Sequence, residues 1–374
     1  MIHQVATEVD AAIGGSETGL ILDETSFPKK GKESVGVARQ WCGTLGKVEN
    51  CQVAVFAVLA SGTRVAPVDT RLYLPKAWTD DPERCRKADI PPEDRTSKTK
   101  LELALEIVAQ ARHRGLRFGW VGFDAFYSKN PDVLRTLDKA GEVFVADVDP
   151  DQRVYLDDPE PTQKRGRRAI TYRTNRKAMR VDEWARCQHK SAWKRMTVRG
   201  STKGPIVIDV LSRLVWVWDK KTAKGNHWRL IVRRDIQTPE EIKYSLTNAG
   251  PDVTVKELAY RQGQRYWVER WFQDAKMDVG LGDYQARGWR PWHHHVSLVM
   301  MAMLFLLHER MAHAKTLPLL SCADVTALLT ELVSQPRTLA DLLKQVGKRH
   351  RRRKAAIDSA TRQKLRCQRL VVTK

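Results

Sequence analysis

The sequence predicts an α/β fold built on a mixed sheet with helices packed against it. Three observations predict it. Apolar runs of strand length alternate with helical periodicity in the order strands, helix, strand, helix, strand. Two of those runs end in an aspartate, Asp23 and Asp124, and sites on open α/β sheets lie at the carboxyl ends of strands. An apolar share of 42% over 374 residues is enough for a sizeable core, which excludes a disordered chain.

The elements follow in order. Residues 19–24, GLILDE, are a short apolar run carrying Asp23. Residues 51–60 and 64–74 read as two further strands joined at Ser61-Gly62. A charged, proline-containing loop follows at 75–96. Residues 98–114 place Leu101, Leu105 and Val108 at helical spacing and stop before Gly115. FGWVGFDAF then delivers Asp124, a short helix is expected over about 131–140, and EVFVADV is a strand ending at Val148. DVDPD at 147–151 lacks the glycine and closing glutamate of a calcium loop and reads as a turn.

From about 150 the character changes. A basic stretch, KRGRR at 164–168, precedes the β-like segments PIVIDVL, RLVWVWD and HWRLIVRRD, which read as an inserted β-rich subdomain. Helices are expected at 256–277 and 292–313, with Pro291 well placed at a helix start. The last segment is helical and strongly basic: KRHRRRK at 348–354, then Arg362, Lys364, Arg366 and Arg369. The expected organisation is a short N-terminal segment (1–18), the first part of a core (19–150), the insertion (151–255), the second part of the core (256–323) and a basic helical tail (324–374).

Sixty-five basic against 44 acidic residues leave a net charge of +21, an excess that points to a polyanionic partner, most often nucleic acid. The six cysteines are scattered and form no CxxC pair, so neither a zinc site nor a disulfide framework is suggested and a reducing cytoplasm fits. The opening residues lack the basic and apolar regions of a signal peptide. The longest apolar run, Val296 to Leu307 interrupted by Ser297, is too short to span a bilayer and reads as a buried helix, so no membrane is expected.

The chemistry gathers around one helix. Arg265, Glu269, Phe272 and Lys276 are spaced 4, 3 and 4 apart and share a helix face. A carboxylate between two cations makes a poor core stripe but suits a metal-binding acid beside a phosphate backbone. Asp23, Asp124 and Glu269 come from well-separated parts of the chain, and three converging acids suit one or two Mg²⁺ ions. A lone strand-end aspartate is more often a turn or helix-cap residue, and Asp69, Asp147, Asp149 and Asp151 follow apolar segments too. Lys29, Lys30 and Lys32 stand where they could meet a DNA strand entering the site, or they form an ordinary solvated turn. His293, His294 and His295 diverge by about 100° each on a helix and cannot all ligate one ion. Trp193, Trp216, Trp218 and Trp228 lie in or beside the insertion; core packing is the favoured role for Trp216 and Trp218, and stacking of a flipped base is the other.

Three blocks together resemble the bacterial insertion-sequence transposases of the DDE superfamily, in the group with a Tyr-Arg-Glu-Lys motif and a β-rich insertion in an RNase H-like domain. LILDETSFPKKGKESVGVARQWCGTLGKVENCQVAV at 20–55 resembles the block of the first acid, GWVGFDAFYS at 119–128 that of the second, and RYWVERWFQDAKMDVGLGDYQARGW at 265–289 that of the third. The resemblance gives Asp23, Asp124 and Glu269 the catalytic, metal-holding roles, and Arg265 and Lys276 phosphate contacts. The tyrosine position of the motif is filled by Gln262, with Tyr260 and Tyr266 out of register. Such relatives usually carry a helical DNA-binding region before the first catalytic strand. About twenty residues precede Asp23, so the chain is expected to lack it.

The resemblance implies an RNase H-like mixed sheet flanked by helices, and two Mg²⁺ ions for which Mn²⁺ can substitute. It implies cleavage at the ends of an element and transfer of the freed 3′-OH to target DNA. The partner would be double-stranded DNA (transposon ends and target), held by a dimer, in the bacterial cytoplasm on the nucleoid. A DNA-binding remnant without catalysis, or an RNase H-like nuclease without strand transfer, are the alternatives.

Overall fold

The computed structural model describes residues 1–165, 170–201, 204–285, 287–333 and 338–372. Its elements are helix α1 (Ile2–Ile13), strands β1 (Gly15–Pro28), β2 (Ala38–Cys42), β3 (Lys47–Ser61) and β4 (Arg64–Leu72), then helices α2 (Lys76–Thr79), α3 (Pro82–Lys87) and α4 (Lys100–His113). Next come β5 (Phe118–Phe123), α5 (Ala125–Ser128), α6 (Pro131–Lys139) and β6 (Phe144–Val148). The β-rich part holds β7 (Arg153–Val154), β8 (Thr162–Arg165), β9 (Ile170–Arg173), β10 (Met179–Arg180), helix α7 (Val181–Arg186), β11 (Lys194–Ser201), β12 (Gly204–Val217), β13 (Asn226–Asp235) and β14 (Ile242–Thr247). Helices α8 (Val255–Gln264), α9 (Tyr266–Asp278), α10 (Trp289–Ala312), α11 (Cys322–Val333) and α12 (Leu339–Val372) complete the chain.

The chain forms two compact units, Met1–Cys322 and Ala323–Lys374. The first is organised by a mixed sheet in the order β11-β12-β13-β14-β6-β5-β1-β3-β2, with β4 also paired to β3. β1, β3 and β4 run as an antiparallel meander, and β5 and β6 join β1 in parallel on its other side. This is the mixed sheet flanked by helices expected of an RNase H-like core. The β-rich segment does not stand apart from it: β14 pairs antiparallel with β6, so β11 to β14 extend the same sheet. The short β7–β10 and β8–β9 pairs lie outside that sheet. Of the basic stretch 164–168, residues 166–168 lie outside the described residues.

Local chemistry accounts for the elements around the site. β3 is buried almost without interruption from Cys51 to Ala60, as a central strand covered on both faces must be. Trp120 of β5 is buried, and its ring lies where side chains at Gly19 and Gly122 would stand: a Cβ there would come within 2.3 and 2.7 Å of it. The two glycines thus let β1 and β5 pair in register beneath a large ring. Helix α4 starts on a capping box, in which Thr99 accepts from the Glu102 backbone while Glu102 accepts from the Thr99 backbone N–H. The N-terminal segment, expected only as a short lead-in, is the amphipathic helix α1, which buries Val5, Ala6, Val9 and Ile13.

Helix α10 is long and apolar enough to cross a membrane by length and composition alone. It instead packs against α1 and β4 and buries Trp292, Val296, Met300, Met303 and Leu307. In the second unit α12 is a helix of 34 residues, and its basic run 348–354 is exposed throughout. The side chains of Lys364, Arg366 and Arg369 lie outside the described ones.

Candidate active site

Sheet register brings the first two acids together. Ile21 of β1 pairs with Gly122 of β5, and Phe123 of β5 pairs with Ala146 of β6, all in parallel. Asp124 is still extended (φ −82°, ψ 179°). Two residues beyond Ile21 and Gly122 stand Asp23 and Asp124, and one beyond Phe123 and Ala146 stand Asp124 and Asp147. The three carboxylates therefore occupy one level on three neighbouring strands, about 4.8 Å apart strand to strand. The level continues onto β14, where Ser245 pairs with Asp147. Asp23 does not end its strand, as the sequence suggested: β1 runs on to Pro28, and the aspartate instead lies level with the end of β5.

The third acid arrives on α9. Phe56 of β3, the cross-strand partner of Asp23, packs against Trp271 and Phe272 with ring centroids 5.4 and 5.5 Å apart, so α9 lies over the face that carries the aspartate. The expected single helix over 256–277 is divided at Arg265, yet Arg265 keeps helical dihedrals (φ −56°, ψ −31°) and the four-residue spacing to Glu269 survives. Asp23, Asp124, Glu269 and Lys276 line one cavity of about 420 Å³, together with Glu24, Thr25, Thr44 and Phe272.

Electrostatics mark the cavity as short of positive charge. Burial, then Asp124, push the Asp23 carboxyl up to about 7, against the pull of Arg265. Burial also raises Asp124, again against Arg265. Its Oδ1 accepts from the Phe126 backbone at 3.0 Å, so Asp124 caps α5 as well as facing the cavity. Glu24, beside Asp23, is raised by burial despite its ion pair with Lys100. Tyr127 is buried behind these acids, and burial and their charge hold its hydroxyl protonated well above its usual range.

Arg265 is the main counter-charge. Its Nη2 lies 2.7 Å from Glu269, its Nε 3.0 Å from Asp147 and its Nη1 3.6 Å from Asp23. Burial opposes its charge, and Asp147, Glu269, Asp23 and Asp124 outweigh burial. Among the described residues no three histidine, cysteine or acidic side chains close around one point; the Arg265 guanidinium lies between Asp23 and Glu269. The donor chemistry nonetheless fits a hard divalent cation: every acid offers oxygen, and Arg265 offsets the charge of the half-buried pair only in part.

The other expected cations divide. Lys276 donates to Thr25 and Thr44 hydroxyls at 2.7 and 3.0 Å, and burial lowers its pKa. Lys29 turns away, donating to the Tyr284 carbonyl with its ammonium 4.9 Å from the ring centre. Lys30 and Lys32 are exposed and do not line the cavity.

Sequence reasoning set aside one residue of this site. Asp147, read as the start of a turn, is the fourth residue of β6 and pairs with Arg265; the turn follows at Pro150. Its signal was the pattern that singled out Asp23 and Asp124, an apolar run ending in an acid. The rival acids have other partners: Asp69 is buried with Arg71 and Arg114, and Asp149 pairs with Lys129. His293 packs on Trp289 and Trp292 and His295 on Tyr284, pointing apart as a regular helix requires. Trp218 and Trp228 are buried, while Trp216 stacks on His227.

A family model described as "DDE superfamily endonuclease" matches residues 1–205, more than half of the chain and including Asp23 and Asp124. A curated relative, the probable transposase for insertion sequence element IS701 of Microchaete diplosiphon, is 22% identical over 267 residues, which cover 71% of this chain. The chain spans 59% of that relative's length. The NurA nuclease of Sulfolobus solfataricus aligns over 82% of this chain and 91% of its own at 11% identity, with a TM-score of only 0.29. On the family match, the chain belongs to the DDE superfamily endonucleases.

Proposed function

We propose that the chain is the catalytic part of an insertion-sequence transposase, cleaving DNA at an element's ends and transferring the freed 3′-OH to target DNA. The observation that carries this reading is the row of Asp23 and Asp124 on adjacent strands facing the same cavity as Glu269. The relative's description as a probable transposase supports the strand-transfer part. Asp23, Asp124 and Glu269 would hold Mg²⁺ or Mn²⁺. A divalent cation pair there supplies Lewis acidity at the scissile phosphate and activation of the attacking oxygen.

The chain's own residues do the rest. Asp23 and Asp124, half-buried at the cavity wall, hold carboxylates that are incompletely hydrated. Lys276, held by Thr25 and Thr44, presents a point charge for a DNA phosphate at the cavity wall. The net charge of +21 favours duplex approach, in the bacterial cytoplasm on the nucleoid. Joining two ends would take two copies of the chain.

The test is Mg²⁺-dependent cleavage of a duplex carrying the sequences that flank the coding region. Glu269→Gln keeps the side-chain shape and removes the charge. Cleavage is expected to fall at least about 100-fold, since even residues behind metal ligands are worth about 10–100-fold. Equal cleavage by wild type and Glu269→Gln overturns the assignment.

A further inference from the structure

Asp147 lies beside the acids but is committed elsewhere. One oxygen, Oδ2, accepts from Arg265 Nε at 3.0 Å. The other, Oδ1, accepts from the Ser245 hydroxyl at 2.6 Å. That hydroxyl in turn accepts from Gln262 Nε2 at 2.6 Å. Ser245 is fully buried and Gln262 is 3% exposed, so neither exchanges its bond for water at no cost. The chain of bonds runs from α8 through β14 and β6 back to Arg265, three residues after Gln262 on the same helical course.

We infer that Asp147, fixed by Ser245 and Gln262, is a positioning residue that sets where the Arg265 guanidinium points and so how strongly it competes with a cation for Asp23 and Glu269. The guanidinium is planar and rigid. Fixing its Nε on Asp147 aims Nη2 at Glu269 and leaves Nη1 no closer than 3.6 Å to Asp23. Without the Asp147 charge, Arg265 would have only Asp23, Asp124 and Glu269 to neutralise it. It would settle onto the very oxygens a divalent cation needs. Gln262 thereby has a job at the position where the resemblance expects tyrosine: it reaches a buried serine.

This inference rests on the proposed metal-dependent function, and the experiment separates the two. Mn²⁺ binding to the full chain is followed by electron paramagnetic resonance without DNA, in wild type, Asp147→Asn, Arg265→Gln and the double variant. Asp147→Asn is expected to weaken Mn²⁺ binding about 10–100-fold. The loss is expected to vanish in the Arg265→Gln background, because Asp147 acts through that arginine. A merely structural role would weaken binding equally in both backgrounds, and that result overturns the inference. So does unchanged binding in Asp147→Asn. Should Asp147→Asn fail to fold, Ser245→Ala keeps the ion pair, loosens its anchor and is expected to weaken binding several-fold; unchanged binding there also overturns it. No Mn²⁺ binding by folded wild type overturns the functional reading itself.

Discussion

Replacing Asp23 with asparagine should make the metal-free protein more stable while removing its function. The side chain keeps its shape, and the oxygen accepting from the Glu24 backbone at 2.7 Å can be retained. What disappears is a buried charge whose carboxyl is raised from 3.8 to about 7, by burial first and Asp124 second. The sign follows from linkage. A folded-state pKa above the unfolded one means that the folded state binds the proton more tightly, so stability falls as pH rises from about 4 to about 7. Above that window the penalty is complete, about 4 kcal/mol at roughly 1.4 kcal/mol per pH unit; at pH 5 it is about 2 kcal/mol. Asp23→Asn should therefore gain about 4 kcal/mol at pH 8 and about half that at pH 5. Denaturant unfolding with chelator, at both pH values, measures this. Adding Mn²⁺ should narrow the gap, stabilising wild type alone. Asp23→Asn no more stable than wild type at pH 8, or equally favoured at both pH values, would refute the argument that crowded, buried acids await a cation.

Two further outcomes concern DNA. Lys276→Gln should leave the fold intact and lower the salt dependence of duplex binding by about 0.9 in log–log slope, the share of one phosphate, as read by fluorescence anisotropy across a salt series. Replacing Arg351, Arg352 and Arg353 together with alanine should lower that slope by up to about 0.9 for each phosphate no longer neutralised. It should weaken binding to all duplex sequences alike, because an exposed basic run on a helix neutralises phosphates without reading bases.

The parts of this molecule legible in the sequence are those governed by neighbours along the chain. Helix α4 shows its apolar period and its stop before Gly115, and β3 shows an apolar run broken only at Gln52. Arg265, Glu269 and Lys276 show one face because helical spacing is local. What lay beyond reach depends on strand pairing. Asp147 follows an apolar run just as Asp23 and Asp124 do, but nothing local reveals that Phe123 pairs with Ala146, the register that carries it level with Asp124. The pairing of β14 with β6, which merges the β-rich segment into the central sheet, is equally invisible to periodicity. The helix face and the family resemblance point Arg265 at phosphates; its grip on Asp147 crosses 118 residues. Helix α1 is a different case, since Val5, Val9 and Ile13 already stood at helical spacing.

The central claim is that Asp23, Asp124 and Glu269 form one divalent-metal site. Anomalous scattering from crystals grown with Mn²⁺ tests it most directly. The account predicts manganese peaks within about 2–2.5 Å of oxygens from these three residues, with Arg265 withdrawn toward Asp147. Manganese bound elsewhere, or a site formed without Glu269, would contradict it.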